Sequence, residues 1–151
     1  MYDLLLTIHV LAAVVWVGGG LAMHILGRRV LKRGDSTEIY EFSKEINHVS
    51  LRLYAPTSLI LLVAGILLVN EAGYEFDQLW ITLGFVGWLI SFVVGVGYYG
   101  PQDKRLQQLV AADGPNATGV VANVRQALLV NSFEQAILFL IVIDMTTKPG
   151  L

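Results

Sequence analysis

Apolar residues fill four stretches of the chain, and polar residues gather between them. The first stretch, Leu4 to Leu26, runs 23 residues without an Asp, Glu, Lys or Arg. At about 1.5 Å per helical residue it reaches about 35 Å, enough to cross a bilayer core of about 30 Å. The pattern predicts spanning helices at about 3–27, 50–70, 79–99 and 123–146. The segment between the first two, DSTEIYEFSKEINHV (35–49), is polar but places Ile39, Phe42, Ile46 and Val49 at helical spacing. Asp35 with Glu38 has the form of a capping box at its start. This segment is expected to continue into the membrane or to lie along its surface. Leu106, Leu109 and Val110 predict another short amphipathic helix, stopped at Asp113-Gly114-Pro115-Asn116. Pro56 removes a backbone donor early in the second helix and predicts a bend there.

The fold class that follows is all-α: a four-transmembrane-helix bundle forming one integral membrane domain over 1–151, with short amphipathic helices in the cytoplasmic loops. Orientation comes from Lys and Arg. Residues 28–52 carry six of them: Arg28, Arg29, Lys32, Arg33, Lys44 and Arg52. The connection 71–78, EAGYEFDQ, carries none. Lys104, Arg105 and Arg125 flank the last connection, and Lys148 stands alone at the C-terminal end. The first and third connections are therefore expected in the cytoplasm, with both termini outside. The N-terminus, Met-Tyr-Asp, lacks the basic region of a signal peptide, so the first helix is expected to be retained.

Composition narrows the function classes. The chain is 55% hydrophobic and only 15% charged, against about 25% charged in soluble domains. A net charge of −2 gives no bulk electrostatic case for nucleic acid. The absence of cysteine excludes disulfides, thiolate metal sites and iron–sulfur clusters on this chain. The lipid bilayer is the first partner. Small residues on the first helix and the series Gly87, Ser91, Gly95 on the third suit close helix contacts, within the chain or in a homodimer or larger complex.

Ionisable groups inside a bilayer are costly, so each calls for a partner or a purpose. His9 lies in the outer half of the first helix, and His24 lies near its inner end. They are 15 residues apart, about 22 Å along the axis, and cannot share one metal ion. No metal site is predicted, since His9, Met23 and Met145 are scattered singles. Glu134 falls near the middle of the last helix among Asn131, Ser132 and Gln135, with Asn131 and Gln135 on one face. By depth, Glu134 comes within reach of His9. Arg52 and Tyr54 fall nearer His24, His48 and Asn131. Glu134 and Arg52 are the candidate catalytic residues. His9, His24 and His48 are the candidate cofactor ligands, with His24 and His48 forming a bis-histidine pair if 35–49 folds back along the first helix.

The run IHVLAAVVWVGGG (Ile8 to Gly20), LLVAGILLV before an acidic loop, and the ending Met145-Thr-Thr-Lys-Pro-Gly150 resemble an uncharacterised family of four-helix bacterial predicted integral membrane proteins. A more distant similarity is to copper-resistance D and HemJ-type membrane proteins. These also open with a histidine followed by small residues and tryptophan. That resemblance implies b-type haem, with His9 at the position of the first-helix histidine, in a multi-pass protein of the bacterial inner (plasma) membrane. The HemJ-type lysine-bearing motif has no counterpart on a helix here, so protoporphyrinogen oxidation is not carried over.

Three readings stay open on these grounds. The first is a haem b redox or electron-transfer protein, with Arg28, Arg29 or Arg52 pairing with propionates at the cytoplasmic face. The second is a component of a small ion, proton or solute transporter built on the Glu134 stripe. The third is a structural subunit of a membrane complex.

Overall fold

Four helices account for the four apolar stretches: α1 (Tyr2–Arg33), α2 (Ser36–Ala72), α3 (Leu79–Asp113) and α4 (Val120–Thr147). The computed structural model describes residues 1–150. Each helix is long and apolar enough to cross a membrane, and at most 28% of its apolar window is buried inside the bundle. Phe133, for example, is 74% exposed, which suits a face turned to lipid chains rather than to water.

The helices are longer than the apolar stretches. Residues 36–49 are the first third of α2, and residues 100–113 are the last part of α3. The amphipathic segments are thus extensions of spanning helices, so 36–49 takes the first of its two expected courses. The Asp35 carboxylate accepts from the Glu38 backbone N–H at 3.0 Å and starts α2 as the capping pattern requires. Gly34 (φ 80°) and Gly73 (φ 71°) close α1 and α2 in the left-handed conformation that favours glycine.

Three of the four helices contain a π turn: Val14–Gly18 in α1, Ser50–Tyr54 in α2 and Gly95–Tyr99 in α3. Two of them precede a proline by the same spacing, Tyr54-Ala55-Pro56 and Tyr99-Gly100-Pro101. Proline cannot donate to the carbonyl four residues back and crowds it. Widening the preceding turn shifts the hydrogen bonding and lets the helix continue through the proline.

These turns lie at the level where packing changes. At the basic end, α1, α2 and α3 all pack against α4 around buried Ile39, Leu106 and Val120. Towards the end that carries both termini, α1 pairs with α2 and α3 pairs with α4, and the two pairs touch little. A smaller core of Val69, Trp80 and Ile81 closes that end.

The small-residue stripe of α3 faces α4 through Gly84, Gly87 and Ser91, all buried, while Gly95 lies outside the contact. A Cβ at Gly87 would overlap the Ile141 side chain, whereas one at Gly97 would meet nothing within 4 Å. Gly87→Val is therefore expected to destabilise by about 1–3 kcal/mol, as overpacked cores do. Gly97→Ala should leave the thermal midpoint in detergent close to wild type. Equal midpoints for the two variants would contradict this packing.

The charge asymmetry makes a separate prediction. A cytoplasm-active reporter fused near Asp35 or Asp113 should be active, and one fused near Tyr74 should not. The reverse pattern would invert the orientation.

Candidate functional site

Where the α1–α2 pair parts from the α3–α4 pair, they line a half-open cavity of about 630 Å³. That volume is within the range of pockets that bury cofactor-sized molecules. Its wall takes Leu6, His9 and Ala13 from α1, Leu61 and Gly65 from α2, Gly84 and Trp88 from α3, and Leu138 and Met145 from α4. The lining is almost wholly apolar. Its polar groups are few, and they include His9 in one wall and Tyr74 with Lys148 at the termini end.

His9 is held by α2. Its Nδ1 lies 3.0 Å from the Leu61 carbonyl oxygen, and its ring rests against Gly65. A carbonyl oxygen only accepts, so Nδ1 carries the proton and donates it. The tautomer is thereby fixed, and Nε2 keeps its lone pair. Among the described residues Nε2 makes no hydrogen bond. A neutral imidazole that donates one N–H to a carbonyl and leaves the other nitrogen free is the usual state of a metal-ligating histidine.

A second polar cluster lies beyond the π turns, towards the basic end. His24 Nδ1 donates to Asn131 Oδ1 at 3.0 Å, joining α1 to α4. Ser132 Oγ donates to the Leu128 carbonyl at 3.0 Å and lies 3.4 Å from His24 Nε2. The Tyr99 hydroxyl, at the end of the α3 π turn, donates to Glu134 Oε2 at 2.9 Å. Asn131 lies beside both the Tyr99 hydroxyl and the Glu134 carboxylate. Ser91 also borders that carboxylate, although its buried hydroxyl completes no hydrogen bond. Gln135 is buried on Gly20, and Tyr54 lies on Gly19, so the glycines after Trp16 make room for polar side chains from α4 and α2. The cluster ties α1, α3 and α4 together.

Several sequence expectations change here. His9 does not meet Glu134: His9 bonds to α2 and Glu134 to α3. Depth along an axis set the expectation, but rotation about the axis decides which neighbour a side chain meets. His24 turns to Asn131 and not to His48, which is exposed on the extension of α2. No hydrogen bond joins the two histidines among the described residues. Arg52 is exposed and makes no ion pair among the described residues, so it joins neither polar group. Asn131 and Gln135 do share the face of α4 that meets α1. No group of three His, Cys, Asp or Glu side chains suited to a bare metal ion occurs among the described residues.

Two further residues stand out in the structure. Lys148, counted above only as the lone basic residue of the C-terminal end, lines the cavity beside Tyr74 and Trp80. Asp144 is buried near the end of α4 with Oδ2 unpartnered. The signal for Asp144 was available, as a second acid within the last apolar stretch.

The model of a family described as "Predicted integral membrane protein (DUF2269)" matches residues 3–149. Comparison with curated proteins and with solved structures returned no match.

Proposed function

The chain belongs to this family of integral membrane proteins, and from that premise we propose that it binds b-type haem in the apolar cavity and serves redox or electron transfer. One observation carries the reading: His9 stands in the cavity wall with Nδ1–H committed to the Leu61 carbonyl and Nε2 free. The fit to haem is chemical. The donor set offers an imidazole lone pair, the usual axial ligand of b-type haem, and Met145 brings a thioether to the same cavity from α4. Gly65 and Gly84 make room for the His9 ring and the Met145 side chain, the two donor groups of the cavity wall. The first-helix resemblance to copper-resistance D and HemJ-type proteins points to the same histidine. The bacterial plasma membrane is part of the same proposal.

Bound haem supplies one-electron chemistry. The chain's own residues do the rest. His9 Nε2 would hold the iron, and the Leu61 carbonyl fixes the ring's tautomer and direction. Leu6, Leu61, Trp88 and Leu138 keep water away. The arginines Arg28, Arg29 and Arg52 belong to the basic end, away from this cavity, so they no longer suit the propionates.

The test is a reduced-minus-oxidised spectrum of protein purified after expression with ample haem. A Soret band with sharp α and β bands is the expected result. A featureless difference spectrum would end this reading.

A further inference from the structure

We infer that Lys148 is an anion anchor at the termini end of the cavity, where its ammonium takes the acidic group of an amphipathic ligand whose apolar body fills the space. The inference rests on the haem reading for the ligand's identity, so the acidic groups are haem propionates. Lys148 lines the cavity, and its Nζ donates to the Tyr74 hydroxyl at 3.2 Å. Nζ also sits 5.1 Å from the ring centroids of both Tyr74 and Trp80, a cation–π cradle. An ammonium has three donors, and Tyr74 accepts from one.

The charge around it makes the arrangement informative. Asp3, Glu71, Glu75, Asp77 and Asp144 lie at this end, where Lys148 is the one Lys or Arg side chain. Yet no carboxylate among the described residues comes within salt-bridge distance of Nζ. The terminal amine of Met1, by contrast, lies 3.9 Å from Glu71. Asp144, one turn back, gives Lys148 its carbonyl at 2.8 Å from the backbone N–H but not its carboxylate. Lys148 also has φ 45°, the one positive φ outside glycine among the described residues. A left-handed backbone at a β-carbon-bearing residue costs free energy and persists where the surroundings fix it. The chain thus turns a cation onto two aromatic faces beside the cavity, with no carboxylate of the described residues at salt-bridge distance.

The experiment compares haem with haem dimethyl ester, which keeps the macrocycle and iron but loses both carboxylates. Each is titrated into detergent-purified apoprotein and followed by the Soret band. Wild type should bind haem at least tenfold tighter than the ester. Lys148→Met should bind both equally, at the ester's level, and Lys148→Arg should restore the preference for haem. Should Lys148→Met not fold, Lys148→Gln carries the same comparison. Equal binding of haem and ester by wild type, or a preference that survives Lys148→Met, would overturn the anchor while leaving His9-held haem intact. Binding of neither would remove the haem reading, and the anchor with it.

Discussion

His9→Gly is expected to lose haem and to regain it when imidazole is added. Deleting the ring removes the nitrogen lone pair and leaves a gap beside Gly65, where the ring now rests. Free imidazole fits that gap and can present the same lone pair to iron. Haem retention should fall at least tenfold in the variant and recover over millimolar imidazole. Rescue separates ligation from folding, because imidazole cannot repair a misfolded bundle. Retention without imidazole would show that His9 is not the ligand. Loss that imidazole fails to reverse, in a variant with wild-type thermal midpoint, would also count against it.

Glu134→Ala is expected to weaken the bundle while leaving haem in place. Its carboxylate accepts from Tyr99 and lies beside Asn131, which in turn holds His24. Removing it takes one partner from the half-buried Tyr99 hydroxyl and leaves Asn131 beside it, a loss of about 1 kcal/mol. Tyr99→Phe removes the other partner. A double-mutant cycle on thermal stability in detergent should give a coupling of at least about 0.5 kcal/mol. Membrane hydrogen bonds are often modest, about 0.6 kcal/mol on average, so the coupling is the sharper readout. Zero coupling would mean that the contact carries no stability. Loss of haem in Glu134→Ala at full stability would merge two sites that the structure keeps apart.

The apolar runs and the charge between them made the four helices legible, because a bilayer demands that length and leaves few alternatives. The capping of α2 by Asp35 was legible for the same local reason. The π turns were not. Pro56 and Pro101 announce a disturbance, but a proline alone does not say whether a helix kinks, stops or widens a turn. The turn in α1 has no proline near it, and only the packing of Tyr54 and Gln135 onto Gly19 and Gly20 gives it a setting.

The site divides in the same way. His9 stood out as an ionisable residue inside an apolar run. Its partner did not, because the Leu61 carbonyl is backbone and leaves no mark in the residue pattern. Glu134 also stood out, but its pairing with Tyr99 depends on which way two helices are rotated. Lys148 was hidden by its neighbours: before Pro149-Gly150 it reads as the end of a helix. Its placement on Tyr74 and Trp80 joins residues more than sixty positions apart.

The most direct test of the central claim is the molar ratio of haem to protein in four preparations: wild type, His9→Ala, His24→Ala and His48→Ala. His9 lines the cavity with a free nitrogen, His24 is bonded to Asn131, and His48 is exposed. A wild-type ratio near one is expected, retained by His24→Ala and His48→Ala and lost by His9→Ala. Full haem in His9→Ala with loss in His24→Ala would move the cofactor to the basic end and contradict the account.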